Sequence, residues 1–485
     1  MTATPRMPAL AGLRPALLIL LLFAVAVGPV RAADTPLPES VRKALARQGL
    51  DPANLGVWVR PVDSDRPLIA HNAKRSFNPA SVMKLVTTVA ALDILGPSFE
   101  WKTEFHADRL PVNGVIEGDL YIKGYGDPWF RSEDLWDSVR RLRELGVREI
   151  RGDVILDDSY FAPVASDPGA FDNHPDRTYN ALPDALLLDN RAVRIAISPQ
   201  GESGSAVSTW PPNPEVSLND RLELVDEPCR NSTNRPVIDI RDPTAATAEI
   251  DVRGTVSREC APQLYYRVAG DAHEAFFQAF KTLFEAAGGH IEGGWRNGLL
   301  QSGAKRLLTH RSRPLTNYLW LMNKWSNNLM ARQILLTMAA EIEGPPATEL
   351  KARRVIARWA ADRGLDWDDA EIENGAGLSR TARLTPRQVG DMLQSAWDSP
   401  YMAEVVASLP IAGVDGTMRK RLSDLRGHAH IKTGTLRDVR AGAGFLLSRS
   451  GRRYVVVMFH NEEGVQNGGG TRVQDALLTW LYENG

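Results

Sequence analysis

Only two cysteines, Cys229 and Cys260, occur in the 485 residues. That excludes a scaffold stapled by several disulfides and any multi-cysteine zinc or iron–sulfur centre. Neither sign of charge dominates, since 57 Lys and Arg stand against 59 Asp and Glu, a formal net charge of -2. With no basic run either, the chain offers no electrostatic footprint for nucleic acid. Nine histidines are present, but none lies in a recognisable nucleophile or zinc-protease motif. His428 and His430, two apart on one face of an expected strand, come nearest to a ligand pair. No internal repeat is visible, and after the N-terminal region no segment approaches the about 20 apolar residues of a spanning helix.

What is present begins with an export signal. Arg6 and Arg14 flank the start of an apolar run over Ala16 to Val27, and Val30-Arg31-Ala32 precedes Ala33-Asp34 with small residues at a cleavage position. Residues 1–32 therefore read as a signal peptide, with an uncleaved anchor as the alternative. The mature chain is expected to be soluble and exported, with a periplasmic location and no transmembrane anchor. In such a compartment Cys229 and Cys260 are expected to pair, which on the chain-entropy account contributes about 3–4 kcal/mol.

The length implies two or three domains. Leu55 to Arg60 and Pro67 to His71 read as strands. Ser81 to Leu95 is apolar on nearly every face and stops at Gly96-Pro97, the pattern of a buried helix. From about Glu104 the pattern changes to short strands and turns, with one amphipathic helix after Ser132, expected as its N-cap. Residues 192–261 are poor in helical periodicity and read as a small β-rich domain. Asn317 to Ala340 and Ala347 to Arg363 read as helices, Ile431 to Gly434, Ala443 to Leu447 and Arg453 to His460 as strands, and Arg472 to Tyr482 as a terminal helix. The two early and three late strands suit one five-stranded antiparallel sheet in an α/β (α+β) fold. Its domain would then be discontinuous, over residues 33–105 and 291–485. An α/β insertion would occupy 106–191 and 262–290, with the β-rich domain at 192–261 nested inside it.

Three short motifs stand in order: Ser81-Val82-Met83-Lys84, Ser326-Asn327-Asn328 and Lys432-Thr433-Gly434. The first two patterns recur elsewhere, at Ser40 to Lys43, Ser302 to Lys305 and Ser217 to Asn219, so context has to discriminate. Ser81 opens a buried helix, where serine and a lysine three residues on point to one side and unpaired backbone N–H groups are on offer to an oxyanion. Lys84 lies in an apolar run, where an unpaired ammonium is costly. A serine nucleophile needs a base, and a lysine serves if burial and a neighbouring cation such as Lys432 lower its pKa.

This ordered set resembles that of the penicillin-recognising serine enzymes. Further stretches resemble the low-molecular-mass class C penicillin-binding proteins, the D-alanyl-D-alanine carboxypeptidase/endopeptidase family. They are Asn78 to Ser81, Gly124 to Pro128, Gly375 to Arg380 and Gly413 to Thr417, together with the long separation of the first two motifs. The resemblance implies a serine β-lactamase/DD-peptidase-like catalytic domain with two inserted domains, needing no metal or organic cofactor. It implies peptidoglycan stem peptides and cross-bridges as substrates and β-lactams as covalent inhibitors.

By the same resemblance Ser81 would be the nucleophile, Lys84 its base and Ser326 a proton relay to the leaving amine. Asn328 would hold a substrate amide, while Lys432, Thr433 and Thr435, with Gly434 between them, would take the terminal carboxylate. The backbone N–H groups of Ser81 and Thr435 would form the oxyanion hole. Asp157 and Phe161 resemble positions that contact the peptide side chain, with simple packing at the end of a strand as the alternative. Two positions depart from the family pattern: Asn374 stands where Asp is common, and Arg332 where Glu is. The rival readings are a β-lactamase, which is usually shorter, and a binding protein whose site has decayed.

Overall fold

The structure, a computed structural model, describes residues 35–164, 166–199, 207–229 and 235–485. The leader expected over residues 1–32 lies outside them. Two five-stranded sheets organise the chain. The first is antiparallel, in the order Ala429–Leu436, Val439–Leu447, Arg453–Asn461, Leu55–Pro61, Ile69–His71.

Period-two alternation gives this sheet two buried faces. Val57, Val59, Val456 and Met458 point to one side, where helices Glu39–Gln48 and Gly469–Asn484 cover them with Val41, Leu45, Val473 and Leu477. Trp58, Val455, Val457 and Phe459 point to the other, into the larger core around helix Met83–Ile94. Every residue of that helix from Met83 to Leu92 is buried, as its all-round apolar sequence requires.

The second sheet is mixed, ordered Trp295–Asn297, Val154–Asp157, Leu120–Gly124, Lys102–Ala107, Lys305–Arg311. Helices Ser132–Glu144 and Ala272–Ala286 close its core through Leu135, Val139, Phe276, Phe280 and Phe284. The β-rich region carries two three-stranded sheets and the Cys229–Cys260 disulfide.

Three expected boundaries shift. Strand Lys102–Ala107 straddles the division at 105/106 and belongs wholly to the second sheet. Trp295–Asn297 and Lys305–Arg311 also complete that sheet rather than the first. Gln263–Arg267 pairs with Val193–Ile197 in the β-rich region, which therefore runs past 261. Strand patterning at best reveals a buried face and never the partner edge, so neither these short strands nor their sheets were read from the sequence. Ser132 is not the N-cap of its helix either. That position is Arg131, and the Ser132 hydroxyl donates to Asp189. The expected pair His428 and His430 diverges, His428 packing on the Tyr482 ring while His430 Nδ1 meets the Val406 carbonyl.

The inserted region is tied to the helix Asn328–Glu343 of the larger core through Asp184. Its backbone N–H donates to Gln333 Oε1 at 3.0 Å, and Gln333 Nε2 donates to its carbonyl at 2.7 Å. The Asp184 carboxylate lies 3.2 Å from His273 Nε2, and His273 Nδ1 is 2.7 Å from Asn297 Oδ1. Burial alone would lower the His273 pKa, but the hydrogen bond and charge of Asp184 outweigh it and push it up to about 9. A raised histidine pKa contributes stability that is complete below the unfolded value and lost as pH rises through the folded one. Between pH 6.5 and 9 the wild type is therefore expected to lose up to about 3 kcal/mol that His273→Gln does not. Thermal melts of both proteins at several pH values across that window check this, and parallel curves would refute the charged clamp.

Candidate active site

Ser81 lies in a single 3₁₀ turn, Ala80–Val82, that runs directly into helix Met83–Ile94. The preceding residues hold it in a strained entry. Ala80 has φ of 45°, a left-handed conformation that costs a non-glycine residue about 1–3 kcal/mol. Asn78 sustains it, its Oδ1 accepting from Ala80 N at 2.9 Å and its Nδ2 donating to the Ser379 carbonyl. Asn461 clamps the Asn78 backbone from the neighbouring sheet, with Oδ1 on its N–H and Nδ2 on its carbonyl.

Lys84 is fully buried. Its Nζ lies 3.1 Å from Ser81 Oγ, 2.7 Å from Asn328 Oδ1 and 2.5 Å from the Ala376 carbonyl. Burial, and secondarily the charge of Lys432, hold its pKa well below the ordinary lysine value. A neutral amine has two protons and one lone pair. Asn328 and Ala376 accept the two protons, which leaves the lone pair for the Ser81 hydroxyl.

The helix expected over Asn317 to Ala340 is broken at the second motif. Leu315–Trp325 ends where Ser326 takes a left-handed conformation at φ 58°, and Asn328–Glu343 starts afresh with Asn327 capping Met330 N. The break places Ser326 and Asn328 in the cleft together. A continuous helix would set residues two apart on different faces.

Strand Ala429–Leu436 brings the third motif to the same place. Lys432 Nζ donates to Ser326 Oγ at 3.0 Å and to the Thr433 carbonyl at 2.8 Å, and burial pushes its pKa down to about 7. Thr433 Oγ1 donates to Thr417 Oγ1 at 2.7 Å, and Thr435 is exposed at the strand's end, its hydroxyl accepting from Arg440. At Gly434 a Cβ would stand 2.9 Å from Ser81 N and 3.0 Å from the Pro79 carbonyl. Only glycine lets the strand lie this close to the start of the helix.

The eight expected residues Ser81, Lys84, Ser326, Asn328, Lys432, Thr433, Gly434 and Thr435 thus stand around one cleft. The other Ser-x-x-Lys copies are solvated, with Lys43 paired to exposed Glu39 and Lys305 exposed. Sequence reasoning missed the supporting groups. The stretch Gly375 to Arg380, noted above only for its family resemblance, supplies the Ala376 acceptor. Asn374 keeps that loop closed, accepting from Ala376 N and donating to the Leu378 carbonyl, so the departure from Asp is accommodated. Arg332 lies 3.4 Å from Glu349. Lys324, also fully buried, donates to Asp415 and the Leu409 carbonyl and so fixes the loop that carries Thr417. The Asp157 carboxylate accepts from Lys123, from Ser159 N and from Leu300 N, bonds that suit the alternative of packing at the strand end.

Together the antiparallel sheet, the buried helix and the Ser–Lys, Ser–Asn and Lys–Thr–Gly groups around one cleft define a penicillin-binding hydrolase. The sequence profile of the D-Ala-D-Ala carboxypeptidase 3 (S13) family matches residues 37–484. The chain belongs to that family and is a low-molecular-mass class C penicillin-binding protein. It is 27% identical over 467 residues to a D-alanyl-D-alanine carboxypeptidase of Actinomadura sp. (strain R39), covering 93% of this chain and 85% of that one. A D-alanyl-D-alanine carboxypeptidase DacB of Haemophilus influenzae is 24% identical, covering 84% and 85%. The crystal structure of penicillin binding protein 4 (dacB) from Haemophilus influenzae superposes with a TM-score of 0.76 at 22% identity, covering 91% of this chain and 99% of that one. A likeness at that identity establishes the fold.

Proposed function

We propose that the protein is a serine-type D-Ala-D-Ala carboxypeptidase and DD-endopeptidase of peptidoglycan, working through an acyl-enzyme on Ser81 that penicillin also forms. The observation that carries this reading is the Lys84 amine, desolvated, with acceptors for two protons and Ser81 Oγ 3.1 Å from its nitrogen. Ser81 Oγ attacks the carbonyl carbon of the penultimate D-alanine while its proton passes to Lys84. The backbone N–H groups of Ser81 and Thr435 receive the developing oxyanion. Lys432, Thr433 and Thr435 bind the terminal carboxylate, Asn328 holds a substrate amide, and Ser326, bonded to Lys432, relays a proton to the departing amine. Water then attacks the ester, and the proton it loses restores the Ser81 hydroxyl.

A cross-bridge presents the same acyl group with a different amine, so one site serves both activities. An exported, periplasmic enzyme meets this substrate. The family membership and the carboxypeptidase activity for which the relatives are named support the reading. Among the described residues no helix is long and apolar enough to cross a membrane.

The test is a fluorescent penicillin followed by peptide mass mapping, with digestion of purified muropeptides in parallel. A long-lived adduct on Ser81 and release of D-alanine or of the donor strand are expected. An adduct on Ser40 or Ser302 would sink the assignment. Rapid turnover of the adduct would mean a β-lactamase, and no adduct a non-catalytic binding protein.

A further inference from the structure

Opening off the catalytic cleft, with Ser326 and Asn328 in the shared wall, lies a cavity of about 420 Å³ that extends well beyond the groups the peptidase chemistry uses. Its size falls within the about 300–1,000 Å³ of small-molecule sites. Three parts of the fold converge on it. Trp129 and Arg131 come from the segment before helix Ser132–Glu144, Tyr266 from strand Gln263–Arg267, and Trp325 from the end of the helix that presents Ser326. Tyr179 stands on the side of Asn328, whose Nδ2 donates to the Tyr179 carbonyl at 3.2 Å.

The walls are aromatic and open to solvent: Trp325 is 60% exposed, Tyr266 44% and Tyr179 41%. Clustered apolar rings left in water mark a binding surface. The charges in the lining cancel, since Arg131 pairs with Asp189 at 3.1 Å and lies over the Trp129 ring. An ionic ligand would find no uncompensated charge here. The Asp189–Arg191 turn that contributes Asp189 and Asn190 to the lining is strained, with three consecutive non-glycine residues at φ 49°, 58° and 56°. Such strain persists at sites where it serves binding. Asn190 belongs to the lining, although its Oδ1 is buried and without a hydrogen-bond partner.

Flat aromatic walls, neutral polar groups and a position against a peptidase cleft fit one class of ligand. A pyranose ring has an apolar C–H face that stacks on an aromatic ring, and a rim of hydroxyl and acetamido groups. We propose that this cavity binds an N-acetylated amino sugar of the glycan strand from which the stem peptide hangs. Trp325 and Tyr266 stack on the sugar, and the neutral polar side chains of the lining meet its hydroxyl and acetamido rim. The inference rests on the DD-peptidase reading and deepens it: the preferred substrate is a glycan-linked peptide, and the β-rich region helps to select it.

The test compares a disaccharide-pentapeptide with the free pentapeptide, and both with penicillin acylation, for wild type, Tyr266→Ala and Tyr266→Phe. The wild type should favour the disaccharide substrate through KM. Tyr266→Ala should raise that KM about three- to tenfold, the worth of one aromatic stack. Its KM for the free pentapeptide and its penicillin acylation rate should stay unchanged, and Tyr266→Phe, which keeps the ring, should behave as wild type. Equal losses on both peptides, or no wild-type preference for the disaccharide, would overturn the sugar site. Failure of the peptidase reading looks different, because then neither peptide is cleaved and no adduct forms.

Discussion

A Lys84→Met enzyme forms the penicillin acyl-enzyme about 10²- to 10⁴-fold more slowly than the wild type, the usual range for loss of a positioned general base. Methionine is unbranched, only one atom shorter than lysine, and removes the cost of a buried amine from apolar surroundings, so the melting temperature should hold or rise. Stopped-flow acylation with a chromogenic penicillin measures the rate, and a variant within tenfold of wild type would remove Lys84 as the base.

The pH profile carries the sign. Lys84 accepts a proton only when neutral, so acylation falls as pH drops through its depressed pKa. Burial is the larger cause of that depression and the Lys432 charge the smaller. With Lys432 pushed down to about 7, its repulsion acts only below that pH. Lys432→Gln should therefore move the acid limb to higher pH within the range below about 7, because there Lys84 gains a proton more readily. The two amines titrate as a coupled pair, and the limb reports the pair. In the wild type, kcat/KM for substrates ending in a free carboxylate should also fall above about 7, where Lys432 loses its charge. Substrates lacking that carboxylate should keep their rate.

The parts of this site legible in the sequence were those fixed by local chemistry. An apolar run interrupted by one lysine announced both a buried helix and a lysine with a partner. Alternating strands announced the sheet, and Cys229 with Cys260 announced a disulfide that is present. What stayed hidden depends on tertiary contact. The Ala376 carbonyl is a backbone acceptor that any residue could supply, so no side chain signals it. The break at Ser326 was invisible because a left-handed serine leaves no compositional mark in an otherwise helical pattern. Lys324 and Asp415 lie 91 residues apart, so neither sequence window contains the other. The sheet membership of Lys305–Arg311 depends on an edge offered by Lys102–Ala107, far away in the chain.

The hidden contacts make their own prediction, at Gly377. Its φ is 75°, and a Cβ there would stand 1.8 Å from the Ala80 carbonyl oxygen. Both obstacles are backbone, so no rotamer change relieves them. Gly377→Ala must move either the Ala80–Ser81 turn or the loop that carries Ala376. The first shift misplaces the nucleophile, and the second takes an acceptor away from Lys84. A displacement of this kind, near 1 Å, costs about 10²-fold in rate. The acylation rate of Gly377→Ala should fall by that factor while far-UV circular dichroism stays native, since the change touches a loop rather than the sheet or helix cores. Penicillin binding before acylation should weaken far less, because Lys432, Thr433 and Thr435 stand on a different strand. A variant that acylates at the wild-type rate would mean that the Ala376 loop closes independently of the catalytic pair.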